Sequence, residues 1–565
     1  MIGESYLPQK GIKPFLFVFV FATLIAVLLS WGTYDINFWP TDSYYPYVPT
    51  AAKLFDLPYL SKMHDLPTGE LTKINMRGKE VLILGIAIMQ RLLKDTQSLF
   101  PNVLLLIIAV YISTILFYYI FRKLFDSSTG LLAAFLFSAS FWPYMYVLQG
   151  AHQPLVLVNF LFSILFIQLS ARNKFFFLAA GIFFGLMLFS SPTAMIYIPY
   201  FLITLMIQKA FKKFYINILL FLAGAAAVVL VFTYPDPIGN IRQFGRFVLA
   251  SQYGNHFAFY HDYLLRHFSL PVSFRGAGWP WVIKYVFYIM PLMFTVYLIS
   301  IIYLLAISRQ FKTTLLIILI SLSTPLAVET AQVAQFGRNY FSWLPGIIFV
   351  ICYAFYYCKY RIITSLTLIR LKTRLQFSFV LLLLGHLFFN LTIFFGDIYP
   401  TSMGTTYIYR WLRSRGIEKV LVYQNHPRNL FVADVLNNPK TDKKIKFYSI
   451  TDLTQATDGY VLVPPISGNT IFNDCSMDDY TDDPHLTALF DSGLLAHFME
   501  ARFRNIGFSH IWALEEEVCA YRSLMLHQIT KLDRKKSYVY IFDAKRLQRA
   551  WTIPQVTNLL LPPGP

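Results

Sequence analysis

The chain has 565 residues, of which 56% are hydrophobic, 18% aromatic and only 14% charged, with a formal net charge of +18. A soluble protein carries about 25% charged residues, so this composition excludes an ordinary soluble fold and indicates a polytopic α-helical membrane protein. The positive charge lies in short clusters between apolar runs, the signature of membrane topology. No basic stripe with interleaved aromatics accompanies it, which excludes nucleic acid as a partner.

Spans of roughly 20 apolar residues, fewer inside a bundle, are predicted near 14–31, 102–121, 128–147, 153–170, 174–190, 193–208, 215–233, 284–306, 313–330, 340–358 and 376–396. The first lacks a small-residue cleavage site and reads as a retained helix. Basic residues mark alternate connections: Lys10 and Lys13; Arg122 and Lys123; Arg172 and Lys174; Lys209, Lys212 and Lys213; Arg309 and Lys312; then Lys359, Arg361, Arg370, Lys372 and Arg374. With eleven spans all of these share one side. The expectation is a multi-pass protein of a bacterial inner membrane, with a cytoplasmic amino terminus and an extracytoplasmic carboxyl-terminal segment.

The opposite face carries the longer loops, 32–101 and 234–283. The first opens with Asp35 and Asp42 among Trp31, Trp39, Tyr44, Tyr45 and Tyr47, aromatics that favour the membrane interface. A carboxylate held at that boundary is a candidate functional group, although either aspartate also reads as a solvated loop residue. Residues 45–60 alternate like a surface helix, and 79–94 read as a short amphipathic helix on the membrane. The second loop carries Arg242, Arg246, His256, His261, Asp262, Arg266, His267 and Arg275, and ends at Gly278-Trp279-Pro280-Trp281. Its histidines lack tight ligand spacing, so they predict no zinc site.

Composition changes after Asp397. Residues 404–416 read as a helix ending at Gly416, and β-prone runs follow at 419–423, 444–450, 459–464 and 538–543. Helical periods between them predict a small soluble α/β domain with a largely parallel sheet. It holds neither a GxGxxG motif nor a P-loop, so no nucleotide is expected. The domain division is therefore 1–397, transmembrane, and 398–565, extracytoplasmic. Cys352 and Cys358 lie in an apolar run; Cys475 and Cys519 lie in the tail and can pair if it is outside the cytoplasm.

Several of these segments, in order, resemble the GT-C superfamily of membrane glycosyltransferases, and within it the protein O-mannosyltransferase and lipid A aminoarabinose transferase group. Trp39-Pro-Thr-Asp42-Ser-Tyr-Tyr45 resembles the family's acidic motif after the first span, with Asp42 at the first acidic position. Arg77-Gly-Lys79-Glu-Val81 keeps a family lysine without its prolines. Leu124-Phe-Asp-Ser-Ser-Thr-Gly130, Gly181 and Gly185 with Ser191-Pro-Thr193, Gly278-Trp-Pro-Trp281 and Arg338-Asn-Tyr340-Phe-Ser-Trp-Leu-Pro345 continue the series. One departure stands out: where many members carry an acid at the start of the fourth span, this chain reads Gln149-Gly-Ala-His152-Gln153-Pro154.

The resemblance implies inverting transfer of a sugar from a polyprenyl-phosphate donor to an extracytoplasmic lipid, glycan or protein acceptor. It implies Asp42 as catalytic base, since a positioned carboxylate can take the acceptor proton. Lys79 and Arg338, then Arg77 and Arg275, are candidates for the donor phosphate, where preorganised cations stabilise developing charge; each also suits snorkelling to lipid headgroups. Tyr44, Tyr45, Gln149, His152, Trp279 and Tyr340 are candidates for the substrate cavity, together with Asp35, which reads more readily as a structural cap. His152 can bind a metal, act as an acid or base, hydrogen-bond a sugar, or simply be a satisfied polar residue. A divalent metal is left open, and no other cofactor is expected. The alternatives are a transporter or flippase of a lipid-linked glycan, against which stands the lack of paired broken helices, and a non-catalytic relative lacking the second acid.

Overall fold

The computed structural model describes residues 12–32, 47–65, 78–96, 100–140, 142–191, 194, 197–201, 214–247, 283, 286–287, 290–307, 311–331, 341–363, 381–382, 384–391, 412–423, 433, 444–451, 455–463, 495–500 and 538–545. The helices run α1 (Ile12–Gly32), α2 (Val48–Lys53), α3 (Glu80–Leu93), α4 (Phe100–Leu124), α5 (Ser127–Ser138), α6 (Trp142–Gln149), α7 (Gln153–Leu169), α8 (Phe176–Leu188), α9 (Phe214–Thr233), α10 (Pro237–Phe247), α11 (Pro291–Ile307), α12 (Phe311–Ala331) and α13 (Leu344–Ile363). Among the described residues, three stretches are long and apolar enough to cross a membrane: Phe100–Leu124, Tyr215–Thr233 and Phe341–Lys359. Shorter apolar helices at Leu16–Val27, Ser127–Ser138, Gln153–Leu169, Phe176–Leu188, Pro291–Ala306 and Thr314–Pro325 pack with them.

One expected span is divided. The run 128–147 forms α5 and α6, which the chain at Ala139 and Ser140 interrupts. Pro143 sits in the first turn of α6, where it has no N–H to offer the Ala139 carbonyl and its ring crowds that carbonyl, so the helix cannot run on unbroken from α5. The surface helix expected at 45–60 is α2 followed by single-turn helices at Leu54–Asp56 and Leu60–Asp65. The amphipathic helix expected at 79–94 is α3, burying Leu82, Ile83, Ile86, Ala87 and Gln90 while Ile88 and Leu92 stay exposed.

The bundle core is largely aliphatic and aromatic, running from Tyr47 to Ala354. Its closest approach is between α8 and α9. A Cβ added at Gly181 would lie 2.8 Å from the carbonyl carbon of Phe221, with the oxygen nearer still, and one at Gly185 would lie 2.8 Å from Cβ of Val228. Small residues one turn apart let two backbones touch, the usual source of helix cohesion in lipid.

The two ends of the bundle differ in chemistry. At one end Asp126 caps α5: its Oδ1 accepts from the Thr129 N–H and from the hydroxyls of Ser128 and Thr129, each at 2.8 Å. Lys359 of α13 completes the cap, with Nζ 2.6 Å from Asp126 Oδ2. Burial pushes the Asp126 carboxyl up, but Lys359 and the three capping donors outweigh it and hold the carboxyl below its ordinary value. Lys123 at this end donates to the carbonyl of Gln168. At the other end, Ser61 donates to the carbonyl of Tyr234 at 2.5 Å and the Tyr59 and Tyr234 rings meet at 5.2 Å. The two long loops therefore emerge at the same end.

The carboxyl-terminal strands form a separate core around Leu412, Val420, Val422, Phe447 and Leu462. Strands β1 (Lys419–Tyr423), β2 (Lys446–Ile450), β3 (Tyr460–Val463), β4 (Leu495–Glu500) and β5 (Tyr538–Asp543) make one sheet in the order β2-β1-β3-β5-β4. The expected parallel pairing holds for β1 with β2 and β3, but β5 runs antiparallel to β3 and β4, so the sheet is mixed. Strand β4, Leu-Ala-His-Phe-Met-Glu, lacks a clear two-residue alternation and is recruited by pairing with β5. Gly416, at φ +64, ends the helical turn at 412–414, as expected of a glycine after a helix. Cys352 is buried and Cys358 half-buried, both as free thiols; Cys475 and Cys519 lie outside the described residues.

Candidate functional site

Three chain segments converge at the end of the bundle that carries the long loops. The first is the entry to α3. Gly78 adopts φ +78, a left-handed turn that a side chain resists, and Lys79 follows as the N-cap of α3. The second is the entry to α7. Gly150, at φ +64, turns the chain out of α6, and His152 becomes the N-cap of α7. The third is the end of α8, whose Phe189 carbonyl accepts from the Val81 N–H at 3.1 Å.

Neither N-cap side chain caps its own helix. Instead they meet each other. Lys79 Nζ lies 2.7 Å from His152 Nδ1 and 2.9 Å from Nε2, and donates to Ser191 Oγ at 3.4 Å. An ammonium only donates, so it is an unprotonated nitrogen of the His152 ring that can accept from Lys79. His152 is 7% exposed. Nearby, Asn159 of α7 donates to Ser190 Oγ at 3.3 Å and to the Leu155 carbonyl at 2.9 Å, tying α7 to the end of α8. Asn102 at the start of α4 donates to the Gly150 carbonyl at 3.2 Å and fixes the turn before His152.

The electrostatic consequence is a corner where positive charge gathers. The amino termini of a 14-residue and a 17-residue helix meet here, each with the partial positive charge of its unpaired N–H groups. The Lys79 ammonium adds a full charge beside the His152 ring. Among the described residues a buried acid stands beside Lys79: Glu80, the first residue of α3, is 3% exposed. It comes from α3, not from the position His152 takes.

The structure thus brings together two of the residues singled out from sequence, Lys79 and His152. Gln149 closes α6, immediately before the Gly150 turn. Asp35, Asp42, Tyr44, Tyr45, Arg77, Arg275, Trp279, Arg338 and Tyr340 lie outside the described residues. Sequence reasoning missed Ser191 and Glu80 as site residues, although both stand inside quoted motifs. Their signal was positional: Glu80 follows the candidate lysine, and Ser191 ends a predicted span on the loop face. Among the described residues, no group of three His, Cys, Asp or Glu side chains is placed to hold a metal ion.

Residues 83–235 match the family model described as dolichyl-phosphate-mannose-protein mannosyltransferase. The matched stretch begins four residues after Lys79 and includes His152, Ser191 and the α8–α9 pair. Among solved structures, the chain is similar to the Archaeoglobus fulgidus oligosaccharyltransferase in its apo form, at 12% identity over 86% of this chain and 72% of that one, with a TM-score of 0.45. It is also similar to ArnT from Cupriavidus metallidurans bound to undecaprenyl phosphate, at 10% identity over 86% of this chain and 97% of that one, with a TM-score of 0.43. No curated protein matches the chain. Over residues 83–235, the chain is thus similar to that family of mannosyltransferases.

Proposed function

We propose that the protein transfers a sugar from a polyprenyl-phosphate donor to an extracytoplasmic acceptor, with inversion at the anomeric carbon. The observation that carries this reading is the Lys79–His152–Ser191 contact at the meeting of two helix amino termini. That corner suits the lipid phosphate, whose charge grows as the sugar leaves. Asp42 takes the acceptor proton as the acceptor oxygen bonds to the anomeric carbon. The bond from that carbon to the phosphate oxygen breaks, and the electron pair stays on the lipid phosphate. Lys79 and the N–H groups of α3 and α7 stabilise that charge, an effect magnified where water is excluded. Arg77, Arg275 and Arg338 are further candidates for the phosphate, and Asp35, Tyr44, Tyr45, Gln149, Trp279 and Tyr340 for the cavity.

In this reading residues 1–397 form the transferase body. The segment 398–565 lies on the extracytoplasmic side, and the amino terminus is cytoplasmic. The acceptor is a lipid, a glycan or a protein. The non-catalytic alternative draws its support from His152, which stands where relatives carry an acid; such a relative would bind lipid phosphate without transfer.

The test is transfer by purified protein from polyprenyl phosphates bearing different sugars to an envelope extract. Transfer by the wild type should be lost in Asp42→Asn, and Lys79→Met should lose lipid-phosphate binding by about a hundredfold, the scale of one preorganised charge in a dry site. Undiminished transfer in both variants would overturn the site. Lipid binding with no transfer by the wild type would favour the non-catalytic relative.

A further inference from the structure

Gln153 is the first residue of α7, immediately after His152, and is 6% exposed. Both its amide atoms, Nε2 and Oε1, are buried without a hydrogen-bond partner. Asn102, fully buried, donates its Nδ2 to the turn before α7, and its Oδ1 is likewise without a partner. Leaving a buried polar atom unpaired costs about 1–3 kcal/mol, so a carboxamide kept in this state at the head of α7 calls for a function. Its place is informative: Gln153 directly follows His152, so its Cα lies about 3.8 Å from that of the residue that meets Lys79.

The chemistry of the unmet groups selects the ligand. Two acceptors, Gln153 Oε1 and Asn102 Oδ1, need hydrogen donors, and one donor, Gln153 Nε2, needs an acceptor. An ionised phosphate diester only accepts, so it can satisfy Nε2 and leaves both oxygens as they were. A hydroxyl both donates and accepts, and a sugar ring presents several. We propose that Gln153, with the Asn102 carbonyl, is the specificity determinant for the donor's sugar, hydrogen-bonding its hydroxyls while Lys79 holds the phosphate. This inference rests on the donor reading above.

The assignment also separates Gln153 from a residue kept for packing. A structural glutamine destabilises the fold when replaced, whereas one with two orphaned atoms costs the empty protein stability. Replacing it by an apolar side chain of similar length should therefore raise the melting midpoint, the usual exchange of stability against function.

The experiment compares binding of bare polyprenyl phosphate with polyprenyl phosphates bearing a hexose or a pentose, for the wild type, Gln153→Met and Lys79→Met in detergent. The wild type should bind one sugar-bearing lipid at least about tenfold more tightly than the bare lipid, the scale of one well-made hydrogen bond to a buried group. Gln153→Met should bring that ratio close to one, keep the affinity for bare lipid, and melt no lower than the wild type. Lys79→Met should lose both lipids together. A wild-type ratio near one, an unchanged ratio in Gln153→Met, or an equal loss of bare and sugar-bearing lipid in that variant would each overturn the proposal. Failure of the wild type to bind bare lipid better than Lys79→Met does would instead sink the donor-phosphate reading, and this proposal with it.

Discussion

Gly181 of α8 provides the sharpest test of how the bundle holds its site. In an open helix interior, Gly→Ala stabilises by about 0.5–1 kcal/mol, because glycine loses more conformational freedom on folding. Here the added Cβ would sit 2.8 Å from the Phe221 carbonyl carbon and 3.0 Å from its Cα, with the carbonyl oxygen closer still. Ordinary van der Waals contact begins near 3.4 Å, so the α8 and α9 backbones must part by at least about 0.6 Å, the gap implied by a close-packed interior. Backbone cannot rotate aside as a side-chain tip can. Overpacking of this kind costs about 1–3 kcal/mol, which exceeds the propensity gain and makes the net effect destabilising by about 1–2 kcal/mol. The control is Gly85→Ala in α3, whose Cβ would meet only the movable end of Leu105, at 2.7 Å from Cδ2; it should be near neutral or stabilising.

Thermal unfolding in detergent reads both variants. In a chain this long, 1 kcal/mol moves the midpoint by about 1–2 °C, so Gly181→Ala should fall by about 1–4 °C while Gly85→Ala holds. Because the end of α8 carries Phe189 and Ser191 to the site, Gly181→Ala should also weaken polyprenyl-phosphate binding. A midpoint for Gly181→Ala at or above that of Gly85→Ala would refute the claim that backbone contact sets the α8–α9 distance.

Two further variants probe the charges at the two ends of the bundle. His152→Asp should set a carboxylate beside Lys79, add negative charge to the corner and weaken bare polyprenyl-phosphate binding by about tenfold, the scale of one close charge pair at intermediate dielectric; tighter binding on equilibrium titration would contradict the proposed phosphate site. Asp126→Asn keeps the cap of α5 but removes the ion pair to Lys359, and should cost no more than about 1 kcal/mol because the lysine is partly solvated. The folded Asp126 carboxyl is held below its ordinary value, so its contribution is complete above the unfolded carboxylate pKa of about 3.9 and disappears as pH falls through the lower folded value. Melting curves from neutral to acidic pH should therefore show wild type and Asp126→Asn converging on the acid side; a constant difference across that range would remove the ion pair from the account.

The sequence by itself determined the class. Its apolar runs, interfacial aromatics and clustered cations describe a membrane bundle with long loops on one face, because lipid leaves few other ways to satisfy a backbone. It also made α3 legible, since the period of Leu82, Ile83, Ile86 and Ala87 survives any environment, and it marked Lys79 through the likeness of Arg77-Gly-Lys79-Glu-Val81 to a family element. It did not reveal that Pro143 divides one expected span, that β5 runs against its neighbours, or that β4 exists, because strand direction and recruitment depend on partners distant in the chain. The site belongs to the same class of facts. Lys79, His152 and Ser191 are separated by 73 and 39 residues and meet only because Gly181 and Gly224 let α8 and α9 close on each other and Asn102 holds the turn before α7. Whether a histidine at a helix start is a bystander or the acceptor for a lysine is settled by packing between helices, and no local pattern carries that information.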